Sequence, residues 1–369
     1  MKLEGTSIDP SFVDQAKPAW DLIRCPACGS AGELGASRWR CLGCLRGYPR
    51  HSRIVDFRVA GPREDLSFAH LQAARAESER IGRALELAGH SSFAEMVEAY
   101  FREFPTRPEI ERGEKGTLLH AEENAREMMF QMGQGIRFSE LTSRPKSVAL
   151  DVGCGAAGLT GLLAPHFSAV IAMDADLDRM VLAERHCTEL GLRNVAFVCA
   201  FGESMPLEAE AADFISCLEV LEHATSQPQL ISELRRVLRP GGRLYLTTPN
   251  RFSAGREPHV HLWALGWMPR RWMDSYVRFR LGVPYAGKRN PSYWELRRMM
   301  EASFGAEFCF ARPSRSSYTP QARVANALLR IPGAAYFVRG IVAGYHVIGA
   351  KPMRREPKLC LEGRSSQTR

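Results

Sequence analysis

Val148-Ala149-Leu150-Asp151-Val152-Gly153-Cys154-Gly155-Ala156-Ala157-Gly158-Leu159-Thr160 is the stretch on which the reading of this chain turns. A buried-strand pattern, a glycine turn and a helix start follow one another. Glycine lets the backbone approach a ligand closely because no Cβ stands in the way. The helix that follows offers unpaired N–H groups to anything carboxylate-like. Gly-x-Gly-x-x-Gly alone is shared by several nucleotide-binding folds. Asp151, two residues before the first glycine, narrows the choice: a carboxylate there repels a pyrophosphate and favours a cationic ligand.

S-adenosylmethionine fits that requirement, with a sulfonium and an ammonium but no phosphate. At this point the chain resembles the class I S-adenosylmethionine-dependent methyltransferases, of the type 11-like kind, over roughly residues 146–350. The family's first motif runs acid-x-Gly-x-Gly-x-Gly, and the chain departs from it once, with Ala157 at the usual third glycine and Gly158 next. The resemblance implies an α/β, Rossmann-like fold. Its sheet has seven mostly parallel strands with helices on both faces, and an antiparallel strand near the C-terminus.

The following elements agree in order and spacing. Ala169-Val170-Ile171-Ala172-Met173-Asp174 is an apolar run ending in an acid that can accept both ribose hydroxyls; the plainer alternative makes Asp174 the cap of a helix starting near Asp176. A third strand, 194–199, leads to Phe201-Gly202-Glu203. Many relatives have an Asp at the Phe201 position that bonds the adenine amine. Here Phe201 could stack on adenine or be core, and Glu203 could reach the amine. A fourth strand, 213–218, runs into Glu219-Val220-Leu221-Glu222-His223, a helix spans 226–238, and a fifth strand spans 243–248. Gly305-Ala306-Glu307-Phe308-Cys309-Phe310 and Tyr345-His346-Val347-Ile348-Gly349-Ala350 are the candidates for the last two strands. Carried over residue by residue, the resemblance puts Asp151, Gly153, Cys154, Gly155, Asp174, Ala175, Phe201, Gly202, Glu203, Leu218 and Glu219 around the cofactor.

Cys25-Pro26-Ala27-Cys28 and Cys41-Leu42-Gly43-Cys44 form a second signal. Two Cys-x-x-Cys knuckles supply four thiolates, the set Zn²⁺ favours, with no position left open for chemistry. Zinc here is therefore expected to be structural, its tetrathiolate charge offset by Arg24, Arg38, Arg40 and Arg46. With Gly47-Tyr48-Pro49 after the second pair, the module resembles a Trm112-like zinc ribbon, often attached to methyltransferases. Such a ribbon packs against the catalytic domain or assists it.

Residues 1–60 are thus read as the ribbon, 61–145 as a helical connector, 146–353 as the methyltransferase domain and 354–369 as a disordered tail. In the connector, Leu66, His70, Leu71, Ala74, Ile81, Leu85 and Leu87 have helical spacing, Pro105 and Pro108 break it, and a second helix is expected from Leu118 to Phe138. His120 and Glu122 read as helix-surface residues.

The segment 249–290 is long for a connection and reads as a lid over the site. His, Arg and three tryptophans (Trp263, Trp267, Trp272) interleave in it, which suits a polar, ring-bearing acceptor; the alternative is an insert packing its aromatics on the sheet. Deprotonating a hydroxyl acceptor calls for a base near neutral pH, so His223, then His261 and His259, are the catalytic candidates. Glu219, Glu222 and His223, with a lid histidine, also suggest a divalent metal such as Mg²⁺, against which stands the rarity of imidazole as a Mg²⁺ ligand.

The composition sets outer limits. The chain has 369 residues, 45% hydrophobic, with a formal net charge of +8. That is enough for a full domain with additions. No Lys/Arg run of five or more occurs, so the charge reads as solvated surface, with RNA as the other candidate partner. The polar start and the missing transmembrane run suggest a protein without a membrane span. Ten cysteines without a secretion signal point to the cytoplasm. The expected function is methylation of a small-molecule acceptor, at a hydroxyl oxygen. The alternatives are an rRNA or tRNA methyltransferase gripping RNA through the ribbon, and a non-catalytic cofactor-binding scaffold. No obligate protein partner is implied.

Overall fold

A computed structural model of the chain describes residues 15–58, 91–103, 108–253, 255–285, 287–311 and 342–353, with Ala84, Glu86 and Gly340. The helical positions expected at Leu66 to Leu87 lie, Ala84 and Glu86 apart, outside the described residues, as does the tail from 354.

Five apolar runs form the centre of the sheet: β5 (Val148–Val152), β6 (Ala169–Asp174), β7 (Val195–Cys199), β8 (Ala212–Leu218) and β9 (Leu238–Pro249). The side chains of the first four are almost continuously buried, as parallel strands covered by helices on both faces must be. All five pair in parallel, in the order β7-β6-β5-β8-β9. β11 (Gly344–Ala350) then lies antiparallel to both β9 and β10 (Phe308–Phe310). These are the seven expected strands. The fifth begins earlier than expected: β9 starts at Leu238, immediately after the preceding helix, and Pro240-Gly241-Gly242 falls inside it with an irregular register near Ala212.

The ribbon lengthens this sheet. Its strands β1 (Gly32–Leu34), β2 (Arg38–Cys41), β3 (Gly47–His51) and β4 (Ile54–Asp56) form an antiparallel meander. β4 pairs in parallel with β7, from Ile54↔Phe197 to Asp56↔Cys199, so the sheet has eleven strands rather than seven. Pairing this edge removes a row of open backbone groups. Trp39, Tyr48 and Phe57 stack together, with ring centroids 4.9–5.8 Å apart, and belong to the same apolar core as Val148, Leu150, Val152 and Ile171 of the central strands. Burying each such side chain contributes about 1.5–3 kcal/mol. Ser52 Oγ and the Arg53 amide both donate to the buried Glu184 carboxylate, at 2.7 and 3.1 Å, which fastens the ribbon to the helix beside β7.

The helices follow local rules. α1 (Lys17–Trp20) leads the ribbon, and α2 (Phe93–Glu103), α3 (Pro108–Leu119), α4 (Ala121–Gly133) and α5 (Phe138–Thr142) form the connector. Pro108 starts α3 instead of only breaking a helix, since its fixed φ suits a first turn. The helix expected over 118–138 is divided, because the chain turns at His120 between α3 and α4 and again after Gly133. α6 (Gly158–Leu163) follows the glycine turn, and α7 (Leu177–Glu189) is capped by Asp176, whose carboxylate accepts from the Asp178 and Arg179 amides. α8 (Gln227–Val237), α9 (Arg270–Leu281) and α10 (Tyr293–Phe304) complete the described set, α10 with a reciprocal Ser292–Glu295 cap. Among the described residues no helix is long and apolar enough to cross a membrane.

Candidate active site and cysteine centre

The loops after β5, β6, β7 and β8 leave the same edge of the sheet, since Val152 pairs with Met173 and Cys217, and Asp174 with Cys199. The chain runs from β5 outward to β6 and then crosses to β8 on the other side. Ligands in open α/β sheets bind at such a reversal, beyond the carboxyl ends of the strands.

Three residues of the glycine turn are left-handed: Gly153 (φ 69°), Gly155 (φ 51°) and Ala157 (φ 60°). A Cβ at Gly153 would stand 2.1 Å from Val220 Cγ2, whereas one at Gly155 would meet nothing within 4 Å, so the loop is open there. Gly158 is required by packing, because its Cβ would lie 2.4 Å from the Ala121 carbonyl of α4. The substitution at the third glycine position is therefore not conformationally neutral: Ala157 carries the left-handed turn with a side chain.

Asp174 ties the loop to β6. Its Oδ2 accepts from the Gly155 amide (3.0 Å) and its Oδ1 from the Asp176 amide (3.0 Å). Asp176, not Asp174, caps α7. Ala175 accepts through its carbonyl from Arg58 Nη1 (3.0 Å), which is itself paired with Asp56 at the end of β4. Arg58 brings the ribbon to the expected ribose side, and only the strand pairing reveals it. Cys154 is buried against Met180 Sδ, and burial pushes its thiol well up.

Asp151 lies beneath the loop, almost fully buried. Thr160 Oγ1 and Ser216 Oγ donate to its two oxygens, both at 2.7 Å. Burial pushes its pKa up to about 6, against the pull of those hydroxyls. Phe201 is 52% exposed at the end of β7 and so is not core. Gly202 packs on Leu230, while Glu203 Oε1 accepts from the Thr225 and Ser226 amides at the start of α8. Leu218 ends β8, and Glu219, left-handed at φ 55°, anchors its amide on Thr247.

Val220 contacts Gly153, so the turn 219–223 sits directly over the glycine loop. The acceptor-side groups gather there. Ligand atoms of Glu222, His223 and His259 lie within 4.8 Å of one another. Glu222 is 1% exposed; its Oε2 accepts from Thr248 Oγ1 (3.0 Å) and its Oε1 has no partner. Burial, and then the neighbouring Glu219, push its pKa up to about 8. The His223 ring meets that of His259 edge-on at 5.1 Å, and desolvation, with His259 and Lys288 nearby, pulls its pKa down to about 4. His223 is thus a neutral imidazole at neutral pH.

Glu257 organises the lid. Its Oε1 accepts from His259 Nδ1 (2.7 Å), Tyr285 OH (3.0 Å) and Asn290 Nδ2 (3.3 Å), and its Oε2 from the His259 and Val260 amides. Although burial opposes it, these bonds, His259 foremost, hold its carboxyl below the usual range. Sequence reasoning passed over Glu257, Tyr285 and Asn290; the Glu257-Pro258-His259 spacing was the available signal. His261 is exposed and left-handed (φ 54°), outside the Glu222–His223–His259 group. Trp263, Trp267 and Trp272 are 54–58% exposed, two of them under Arg256 and Arg271. The small lid core consists instead of Val260, Leu265, Met273, Val277 and Tyr285.

In the ribbon, Cys25, Cys28, Cys41 and Cys44 bring their sulfurs within 4.8 Å of one another, with Cys25–Cys44 at 3.7 Å and Cys28–Cys41 at 3.4 Å. Four thiolates at about 2.3 Å from a tetrahedral ion stand about 3.8 Å apart, and a disulfide about 2.05 Å, so the spacing suits a metal. Tyr48 OH lies 3.2 Å from Cys25 Sγ.

A family profile described as "Methyltransferase domain" matches residues 150–246, from β5 into β9. Residues 150–246 carry a methyltransferase domain. The ubiquinone biosynthesis O-methyltransferase of Coxiella burnetii is 33% identical to it over 112 residues, covering 30% of this chain and 47% of that protein. That of Parvibaculum lavamentivorans is 30% identical over 147 residues, covering 38% and 58%. The chain thus spans about half the length of the curated relatives it matches. The crystal structure of the YcgJ protein from Bacillus subtilis superposes with a TM-score of 0.39 at 18% identity, covering 61% of this chain and 99% of that one.

Proposed function

We propose that the chain is an S-adenosylmethionine-dependent methyltransferase acting on a small-molecule hydroxyl, with His259 as the base and Glu257 as the group that orients it. When bound, S-adenosylmethionine supplies an electrophilic methyl on a sulfonium. The open glycine loop at Gly155 leaves room for its amino-acid end, Asp174 keeps lone pairs for the ribose, and exposed Phe201 offers a face for the adenine. The observation that carries the reading is the 2.7 Å contact of His259 Nδ1 with Glu257 Oε1. It assigns the ring proton to Nδ1 and leaves Nε2 as the acceptor for the site that His223 and Glu222 share. The hydroxyl proton passes to His259 Nε2 as the acceptor oxygen bonds the methyl and the carbon–sulfur bond breaks. His223, neutral at its lowered pKa, accepts a hydrogen bond from the acceptor or its neighbour.

The cysteine centre is assigned to structural Zn²⁺, held by Cys25, Cys28, Cys41 and Cys44. None of the nine described cysteines forms a disulfide, which supports a cytoplasmic protein.

The unpartnered Glu222 Oε1 favours one further reading, in which Glu222, His223 and His259 hold a divalent ion. Two imidazoles and a carboxylate suit zinc or manganese better than magnesium. The two readings part on dialysis against a chelator that leaves the cysteine-bound metal in place.

Calorimetry with S-adenosylhomocysteine, followed by tritiated-methyl transfer to small-molecule extracts and to total RNA, tests the function. Label in the small-molecule fraction is expected. Label in RNA alone replaces the acceptor class, and no heat with S-adenosylhomocysteine removes the enzyme.

A further inference from the structure

The segment 249–290 holds a solvent-open cleft of about 180 Å³ whose lining includes Arg251, Arg270, Lys288 and Arg289 beside Glu257 and Asn290. The cations are unevenly compensated. Arg270 pairs with Glu295 at 2.8 Å, and Arg289 approaches the same carboxylate at 3.6 Å. Asp274, also in the lining, is taken by Arg278. The Arg251 guanidinium donates to the Gly266 and Met268 carbonyls, and among the described residues no carboxylate pairs with Arg251 or Lys288. A further polar group is left open. Asn290 is 7% exposed, its Nδ2 donates to Glu257, and its Oδ1 is buried without a partner.

This cleft backs onto the chemistry. Glu257 and Tyr285 both line it; Glu257 holds His259, and Tyr285 in turn holds Glu257. The Arg289 amide donates to the Glu222 carbonyl at 2.7 Å, and the charge on Lys288 is felt at His223. The lid as a whole is strongly basic. Residues 249–290 hold eight Lys/Arg against two Asp/Glu, an excess of six in a chain whose formal net charge is +8. Half-buried cations drawn together without counter-ions repel one another, and a ligand anion relieves that cost.

We infer that the acceptor carries a phosphoryl group, seated in this cleft by Arg251 and Lys288, with its hydroxyl presented to His259. The inference rests on the methyltransferase reading and adds the substrate class to it. A phosphate monoester carries up to two negative charges and three acceptor oxygens, which suits a guanidinium with a lysine point charge. Its protonated oxygen, or a carrier hydroxyl, supplies the donor that Asn290 Oδ1 lacks.

The test uses the full chain saturated with S-adenosylhomocysteine, titrated with phenyl phosphate, inorganic phosphate and benzoate by calorimetry. Saturable binding of phenyl phosphate, weakened at least tenfold in both Lys288→Gln and Arg251→Gln, is expected. Inorganic phosphate binding as tightly as phenyl phosphate would assign the site to free phosphate and overturn an acceptor role. Preference for benzoate would overturn the phosphoryl class, and equal affinity in wild type and Lys288→Gln would overturn the site. Among the described residues the Lys288 ammonium has no hydrogen-bond or ion-pair partner, so that variant stays interpretable if Arg251→Gln does not fold. A chain that binds S-adenosylhomocysteine but no phosphoester sinks this inference alone. One that binds the phosphoester but not S-adenosylhomocysteine sinks the methyltransferase reading.

Discussion

Asp174 Oδ2 accepts the Gly155 amide at 3.0 Å, so the acid at the end of β6 fixes the glycine loop that follows β5. The same carboxylate sets the first turn after its own strand through the Asp176 amide. One side chain therefore shapes two walls of the proposed cofactor site. Asp174→Ala removes two charge-assisted bonds and the proposed ribose acceptor. With such bonds worth about 1.5–3 kcal/mol, S-adenosylhomocysteine affinity should fall about 10- to 100-fold by calorimetry. Unchanged affinity would detach Asp174 from the site.

Glu257→Gln keeps the shape of the lid but can turn an amide N–H toward His259, which selects the wrong ring tautomer. Methyl transfer to the acceptor found in the extract screen should drop about 10²- to 10⁴-fold, in line with loss of a general base. His259→Ala should cost as much, and the double variant little more, because the two act as a unit. Additive losses would argue against the pair.

Asp151 is buried as an acid whose pKa is raised from 3.8 to about 6. The folded chain then binds a proton that the unfolded chain has lost, so this group's contribution to stability is full below about pH 4 and is lost as pH rises to about 6. Asp151→Asn removes that slope. At neutral pH it should be more stable than wild type by up to about 3 kcal/mol, less whatever the Thr160 and Ser216 bonds lose, since one pKa unit is worth about 1.4 kcal/mol. Chemical denaturation at a series of pH values from about 4 to about 7 checks it. Binding of the cationic cofactor should weaken at the same time.

Ala157 holds a left-handed φ of 60° at the start of α6. Ala157→Gly should relieve about 1 kcal/mol of backbone strain, raising the melting midpoint by about 2 °C. A lower midpoint would mean that the methyl group's packing outweighs the strain.

Cys28→Ser or Cys41→Ser should abolish bound zinc, measured by elemental analysis, and lower the melting point of the whole chain. The second effect follows from β4, which the ribbon contributes to the edge of β7. Structural zinc sites contribute about 10 kcal/mol of apparent folding free energy. Loss of zinc without any change in the melt would show that the ribbon folds independently of the sheet.

The sequence by itself determined the local objects. Five apolar runs, each ending where the pattern turned polar, could only be strands buried on both faces. The glycine turn with Asp151 and Asp174 marked the ligand edge, and two Cys-x-x-Cys pairs marked the metal module, because in each case the spacing along the chain is the chemistry. Tertiary structure decided what those objects do to one another. Nothing in residues 54–56 announces that they pair with Val195–Cys199, since a strand's partner is set by which edge remains open. That the three tryptophans are exposed and Glu257 buried was hidden for a related reason. A side chain's chemistry is legible in its identity, but its burial depends on residues far away in sequence. Proposing His259 rather than His223 or His261 required knowing which imidazole a carboxylate holds in place, and that distance exists only once residues 249–290 have folded.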